Sequence, residues 1–115
     1  MCSSDLIRRS GIAPGDLVAV LGAGPIGLLA MQFARAAGAG HVVAIEPSER
    51  RRALALELGM DAAVAPDAAA DYLLQQSGQV GADVVVEASG VPALLQTAMD
   101  LSRVGGTVAD RKSHV

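Results

Sequence analysis

The stretch Val18-Ala19-Val20-Leu21-Gly22-Ala23-Gly24-Pro25-Ile26-Gly27-Leu28-Leu29-Ala30 constrains the fold more than any other part of the chain. Its first half is an apolar run without polar alternation, the pattern of a strand buried on both faces. From Ile26 onward the apolar period becomes helical. Three glycines in the order Gly-x-Gly-x-x-Gly stand between the two patterns. A buried strand that turns straight into a helix is the first half of a βαβ unit. If a second strand follows, the two strands lie parallel and the crossover is right-handed.

The alternation continues along the chain. Leu17 to Leu21 reads as a strand after the turn at Pro14-Gly15-Asp16. Ile26, Leu29, Ala30, Phe33, Ala34 and Ala37 fall on one face of the first helix, which Gly38 and Gly40 end. His41 to Ile45 is the second strand. Ser48 is placed to N-cap a helix from Glu49 to Leu58, stopped by Gly59. A short strand is expected over Ala62 to Ala65, and a helix capped by Asp67 runs through Gln76. Ala82 to Ala88 is the clearest central strand. Val91-Pro92 opens a helix carrying Leu94, Leu95, Ala98 and Met99, and Thr107-Val108 begins a fifth strand. The pattern βαβαβαβαβ implies an α/β protein with a doubly wound parallel sheet.

A Gly-x-Gly-x-x-Gly motif alone is weak in a chain with 13 glycines. Its context is what discriminates. Gly22 permits the tight turn off the strand, Gly24 lets a pyrophosphate approach the backbone, and Gly27 lets the helix pack close to the strands. The helix N-terminus offers amides and a partial positive charge to phosphate. Pro25 suits the first helical turn and cannot donate, so the donors are expected at Ile26 and Gly27. Glu46 ends the second strand 19 residues past the third glycine. A carboxylate there accepts ribose hydroxyls and repels a 2′-phosphate, favouring NAD over NADP. Arg50, Arg51 and Arg52 pull the other way, since arginines accept a 2′-phosphate where the acid is missing. Glu87 reads as a structural, hydrogen-bonded carboxylate. His41 reads as a surface or strand-edge residue, with no Cys or acidic partner at ligand spacing.

Composition narrows the partners. Phe33 and Tyr72 are the only aromatics and the net charge is −3, so neither base stacking nor phosphate-backbone binding of nucleic acid is expected. No apolar run reaches membrane-spanning length and no signal segment opens the chain. The single cysteine, Cys2, has no internal disulfide partner, which fits a reducing, cytoplasmic setting.

The stretches PGDLVAVLGAGPIGLLAMQFARAAGA, HVVAIEPSERRRALALELGMD, GADVVVEASG and GGTV together resemble the zinc-dependent alcohol and polyol dehydrogenase branch of the medium-chain dehydrogenase/reductase family. The resemblance covers nearly all of Ile7 to Val108. It implies part of a Rossmann NAD-binding domain with strand order 3-2-1-4-5, the sixth strand missing and the fifth truncated. It assigns the pyrophosphate turn to Gly22, Gly24 and Gly27, with Pro25 and Ile26 lining it. It assigns the ribose to Glu46 and Arg51, and the cofactor cleft to Ala88 and Ser89. It implies a full-length parent that passes hydride between a secondary alcohol and NAD with a zinc ion as Lewis acid, and that forms a homo-oligomer. The family's zinc ligands belong to a preceding substrate domain that this sequence does not include, so no catalytic or metal residue is expected here and the chain alone is expected to be inactive. A zinc-free reductase of the same family and a non-catalytic nucleotide-binding module remain alternatives.

The two ends read differently. Met1-Cys2-Ser3-Ser4-Asp5-Leu6 and Asp110-Arg111-Lys112-Ser113 can be encoded by the two orientations of a common sequencing adapter. Residues 1–6 and 110–115 are therefore expected to be foreign, leaving 7–109 as the informative, partial dinucleotide-binding domain.

Overall fold

A computed structural model describes residues 11–91 and 94–110. The order is β1 (Leu17–Leu21), α1 (Pro25–Ala36), β2 (His41–Ile45), α2 (Glu49–Glu57), β3 (Ala62–Val64), α3 (Pro66–Gln76), β4 (Ala82–Glu87), α4 (Leu94–Leu101) and β5 (Ser102–Asp110). The five strands form one parallel sheet in the order β3-β2-β1-β4-β5. This is the expected doubly wound arrangement.

The sheet is buried on both faces because its strands are apolar at successive positions. Val18, Val20, Val42, Ala44, Val84 and Val86 face α1 and α2, where Ala30, Met31, Ala34 and Ala55 meet them. Leu17, Ala19, Leu21, Val43, Ile45 and Val85 face α3 and α4, where Ala69, Leu73, Ala98 and Leu101 meet them. Alternation of side chains along each strand thus feeds two cores at once. All five residues of β1 are buried, as the middle strand of the sheet requires.

Three local expectations are corrected. The buried stripe of α1 is Gly27, Ala30, Met31 and Ala34, and Leu29 and Phe33 are exposed at 44% and 38%. The stripe keeps helical spacing but runs from Gly27, where the Gly22 backbone leaves no room for a β-carbon, and carries Met31 as its one large side chain. Helix α3 starts at Pro66, with Ala65 as an N-cap that makes no side-chain hydrogen bond. Proline fits the first helical position because its φ is preset and its missing N–H has no helical acceptor. Asp67 lies in the first turn and is not the cap. Strand β5 begins at Ser102 rather than Thr107, because Ser102 pairs with Ala82 before the register shifts and Thr107 pairs with Val84. The extra residues on β5 form a bulge that Arg103 closes onto Asp83 (2.7 Å). The last described residue of β5, Asp110, pairs with Glu87 at the end of β4.

Other signals stand where the sequence put them. Ser48 caps α2, its Oγ accepting from the Arg51 N–H at 3.3 Å. Past α1, the Gly38 N–H donates to the Arg35 carbonyl and the Ala39 N–H to the Ala34 carbonyl, a Schellman closure with Gly38 at φ +102°. Pro92, named as a helix start, and the terminal segments 1–6 and 111–115 lie outside the described residues.

Candidate cofactor site

Chain order reverses between β1 and β4: β2 and β3 build outward on one side, β5 on the other. Ligands of open α/β sheets bind beyond the carboxyl ends of the strands at such a point. A cleft of about 680 Å³ opens there. Of the nine residues expected to hold a cofactor, Gly22, Gly24, Pro25, Ile26, Glu46, Arg51, Ala88 and Ser89 line it. Gly27 does not; it sits beneath the turn, buried.

The three glycines have separable causes. Gly22 has φ +101°, and a β-carbon there would lie 3.1 Å from the Ser89 Cα. A β-carbon on Gly27 would lie 2.0 Å from the Gly22 carbonyl oxygen. Those two are glycine because the chain itself leaves no room. Gly24 is different. Its φ of −78° suits any residue, and a β-carbon there would meet only the Arg51 Nη1, at 3.8 Å. The chain does not require glycine at 24, so the free backbone there suits a group arriving from the cleft. Pro25 opens α1, and the Leu28 N–H to Gly24 carbonyl bond (2.9 Å) reaches back to that glycine. Ile26 and Gly27 therefore occupy the first turn, at the positive end of the helix.

Glu46 lies just past β2 and is 4% exposed. Its Oε1 accepts from the Ala23 N–H and its Oε2 from the Ser48 N–H, both at 2.8 Å. The Glu46 N–H donates to the Val64 carbonyl at 3.0 Å, extending the β2–β3 ladder. The three arginines of α2 diverge. Arg52 turns inward, its Nη1 donating to the carbonyls of Glu46 (2.7 Å) and Pro47 (2.9 Å). Arg51 stays exposed and lines the cleft beside Gly24. Arg50 and Arg51 also line a second hollow of about 510 Å³ on the outer side of the glycine turn.

Across the cleft, Ala88 continues the sheet, donating from its N–H to the Leu21 carbonyl at 3.0 Å. The buried Glu87 accepts from the Ser89 N–H at 2.9 Å and from the Ser89 hydroxyl. Its structural role is the expected one: it fixes the turn that presses Ser89 against Gly22. Several lining residues escaped the sequence reading. Pro66 and Ala69 from α3, Leu94 and Thr97 from α4, and Pro47 and Val91 from the loops make up much of an apolar wall. The one available signal was positional, since these residues lie near elements that follow the carboxyl ends of β2, β3 and β4.

The ionic clusters lie elsewhere. Burial pushes the Asp61 carboxyl up, but the Val42 N–H and the hydrogen bond and charge of Arg35, with a smaller contribution from His41, outweigh it and hold it below the usual value. Asp83 behaves alike: burial raises it, and the Leu17 N–H with Arg103 outweighs burial. Tyr72 is raised, by burial first and by the Asp61 charge second. His41 opens β2 half-buried, with its Nε2 2.6 Å from the Tyr72 hydroxyl. Among the described residues no three His, Cys, Asp or Glu side chains converge as a metal site. None of their helices is long and apolar enough to cross a membrane.

Comparison with known proteins settles the kinship. The family model for zinc-binding dehydrogenases matches residues 25–109. The chain belongs to the zinc-binding dehydrogenases of the medium-chain dehydrogenase/reductase family. Scyllo-inosose 3-dehydrogenase of Thermotoga maritima is 45% identical over 92 residues, covering 78% of this chain and 23% of that protein. A solved alcohol dehydrogenase from Thermus sp. ATN1 superposes with a TM-score of 0.87 at 32% identity, over 94% of this chain and 32% of its own. A chain described as a zinc-binding dehydrogenase from Sinorhizobium meliloti 1021, bound to NADP, superposes with a TM-score of 0.83 at 39% identity, over 95% of this chain and 33% of its own. This sequence thus spans about a third or less of each relative. The matched segment of the family takes in Pro25, Ile26, Gly27, Glu46, Arg51, Ala88 and Ser89.

Proposed function

We propose that this chain is the nucleotide-binding part of an alcohol or polyol dehydrogenase and that its cleft holds NAD. The carrying observation is Gly24, a glycine that no neighbour in the chain demands, placed beside the Arg51 guanidinium at the N-terminus of α1. Gly22, Gly24, Pro25, Ile26 and Gly27 form the diphosphate cradle, with helix-terminal amides and Arg51 answering its charge. Glu46 and Arg51 receive the adenosine ribose. Each Glu46 oxygen takes one backbone N–H and keeps acceptor capacity for one hydroxyl. Pro47, Pro66 and Ala69 offer an apolar wall for the adenine, and Ala88 and Ser89 border the run toward the nicotinamide.

The dinucleotide supplies the hydride chemistry when bound; this chain's residues bind and orient it. Catalytic zinc and the alcohol belong to sequence outside this stretch, in a soluble, cytoplasmic and homo-oligomeric parent. Residues 1–6 and 110–115 are proposed to be foreign, and the codons of the coding DNA test that. Titration of the purified chain with NAD and NADP tests the binding. NAD is expected to bind more tightly, Glu46→Ala is expected to weaken it, and no alcohol turnover is expected from the chain alone. An unchanged affinity in Glu46→Ala removes that residue from the site. A second reading, NADP, is favoured by Arg50 and Arg51 around the outer hollow and is supported if NADP binds the tighter of the two.

A further inference from the structure

The β1–β2 ladder runs out at the glycine turn. The Gly22 N–H still pairs with the Ile45 carbonyl at 2.9 Å, but φ +101° at Gly22 then swings the chain away from the sheet. The next amide, Ala23, cannot find a strand carbonyl and donates to Glu46 Oε1 instead. The other oxygen of the same carboxylate takes the Ser48 N–H at the start of α2. One side chain therefore ties the β1–α1 turn to the β2–α2 turn. Its own backbone is fixed on both sides, by the N–H bond to Val64 and by Arg52 on its carbonyl.

We propose that Glu46 is a positioning residue, holding the glycine turn in the shape that receives a diphosphate, over and above any contact with the ribose. The chemistry requires a carboxylate rather than a polar group of the same size. Both partners are N–H donors, so both side-chain atoms must be acceptors. A glutamine places its NH₂ against one of them and loses that bond. The ligand part of the inference rests on the dinucleotide reading of the cleft; the tie itself does not.

The test uses the complete chain, with Glu46→Gln and two probes, ADP and 2′,3′-dideoxy-ADP, which lacks both ribose hydroxyls. If Glu46 positions the turn, the variant loses about tenfold in affinity for each probe. If it serves only the ribose, ADP binding falls and dideoxy-ADP binding does not, which overturns the proposal. Amide hydrogen exchange without ligand gives an independent answer. In the wild-type chain the Ala23 amide is expected to be protected, and in Glu46→Gln the Ala23 or the Ser48 amide is expected to exchange about tenfold faster. An unprotected Ala23 amide in the wild type, or unchanged exchange in the folded variant, overturns the proposal. If the wild type binds neither probe, the nucleotide reading fails while the exchange measurement still decides whether the tie exists.

Discussion

Gly27 and Gly22 are in backbone contact across the strand-to-helix turn: a β-carbon added to Gly27 would stand 2.0 Å from the Gly22 carbonyl oxygen. The obstacle is backbone, so no rotamer relieves it. Because Gly22 is itself anchored to the Ile45 carbonyl and packed on Ser89, a shift of the turn would disturb β2 and the loop after β4 together. Gly27→Ala is expected to cost about 3 kcal/mol or more as an overpacking mutation. For a domain of this size that lowers the thermal midpoint by at least about 10 °C. A calorimetric or circular-dichroism melt checks it, and an unchanged midpoint would contradict the packing described.

Gly24 predicts the opposite pattern. It is the N-cap of α1, with extended backbone and only the Arg51 Nη1, at 3.8 Å, near where a β-carbon would stand. Serine is at least as good an N-cap as glycine. Gly24→Ser should therefore keep stability within about 0.5 kcal/mol. Its side chain would occupy the space through which a diphosphate reaches the backbone, so ADP affinity should fall about tenfold. Paired melts and binding isotherms separate the two effects. A variant that binds normally would mean that the ligand does not approach this glycine.

The signals that were legible in the sequence are local ones. Apolar runs marked β1, β2 and β4, Ser48 marked the start of α2, and the glycine spacing with Glu46 marked the turn and its acid. What escaped the sequence depends on contacts between distant elements. The reason Gly22 is glycine includes the backbone of Ser89, and the apolar wall of the cleft gathers Pro66, Ala69, Leu94 and Thr97 from two different helices. The buried face of α1 departs from the sequence pattern for the same reason. Helical periodicity allows a face with Leu29 and Phe33, but the face that contains Gly27, the residue in contact with the Gly22 backbone, is the one that brings Ala30, Met31 and Ala34 to the sheet. The start of β5 depends on the Asp83–Arg103 pair across the bulge, which no single stretch reveals.

Two carboxylates at the opposite end of the sheet predict loss of stability in acid. Asp61 and Asp83 are both held below the usual value of 3.8 in the folded chain. Each therefore binds its proton less readily folded than unfolded. Their contribution is fully present above about pH 4 and is lost as pH falls through the lowered folded values. The thermal midpoint should be flat in their contribution near neutrality and fall below pH 4. Asp83→Asn cannot accept with the same charge from both the Leu17 N–H and Arg103, so it should be less stable at pH 7 and lose less on acidification. A pH series of melts on both chains checks it; parallel curves would show that Asp83 carries none of the acid dependence.

Arg51 and Arg52 are neighbours on α2 with opposite assignments. The Arg52 guanidinium donates to the Glu46 and Pro47 carbonyls and so closes the end of β2. Removing it leaves two turn carbonyls to water, and Arg52→Ala should cost about 0.5–1.5 kcal/mol per lost bond at most. Arg51 is exposed beside Gly24, and Arg51→Ala should leave the melt within about 0.5 kcal/mol of the wild type. Its effect should appear in binding: weaker ADP affinity, with the loss shrinking as salt rises because an exposed charge is screened. Melts and ADP titrations at two ionic strengths on the two variants decide it. Equal effects on stability would mean that both arginines serve the fold, and Arg51 would then be removed from the proposed cradle.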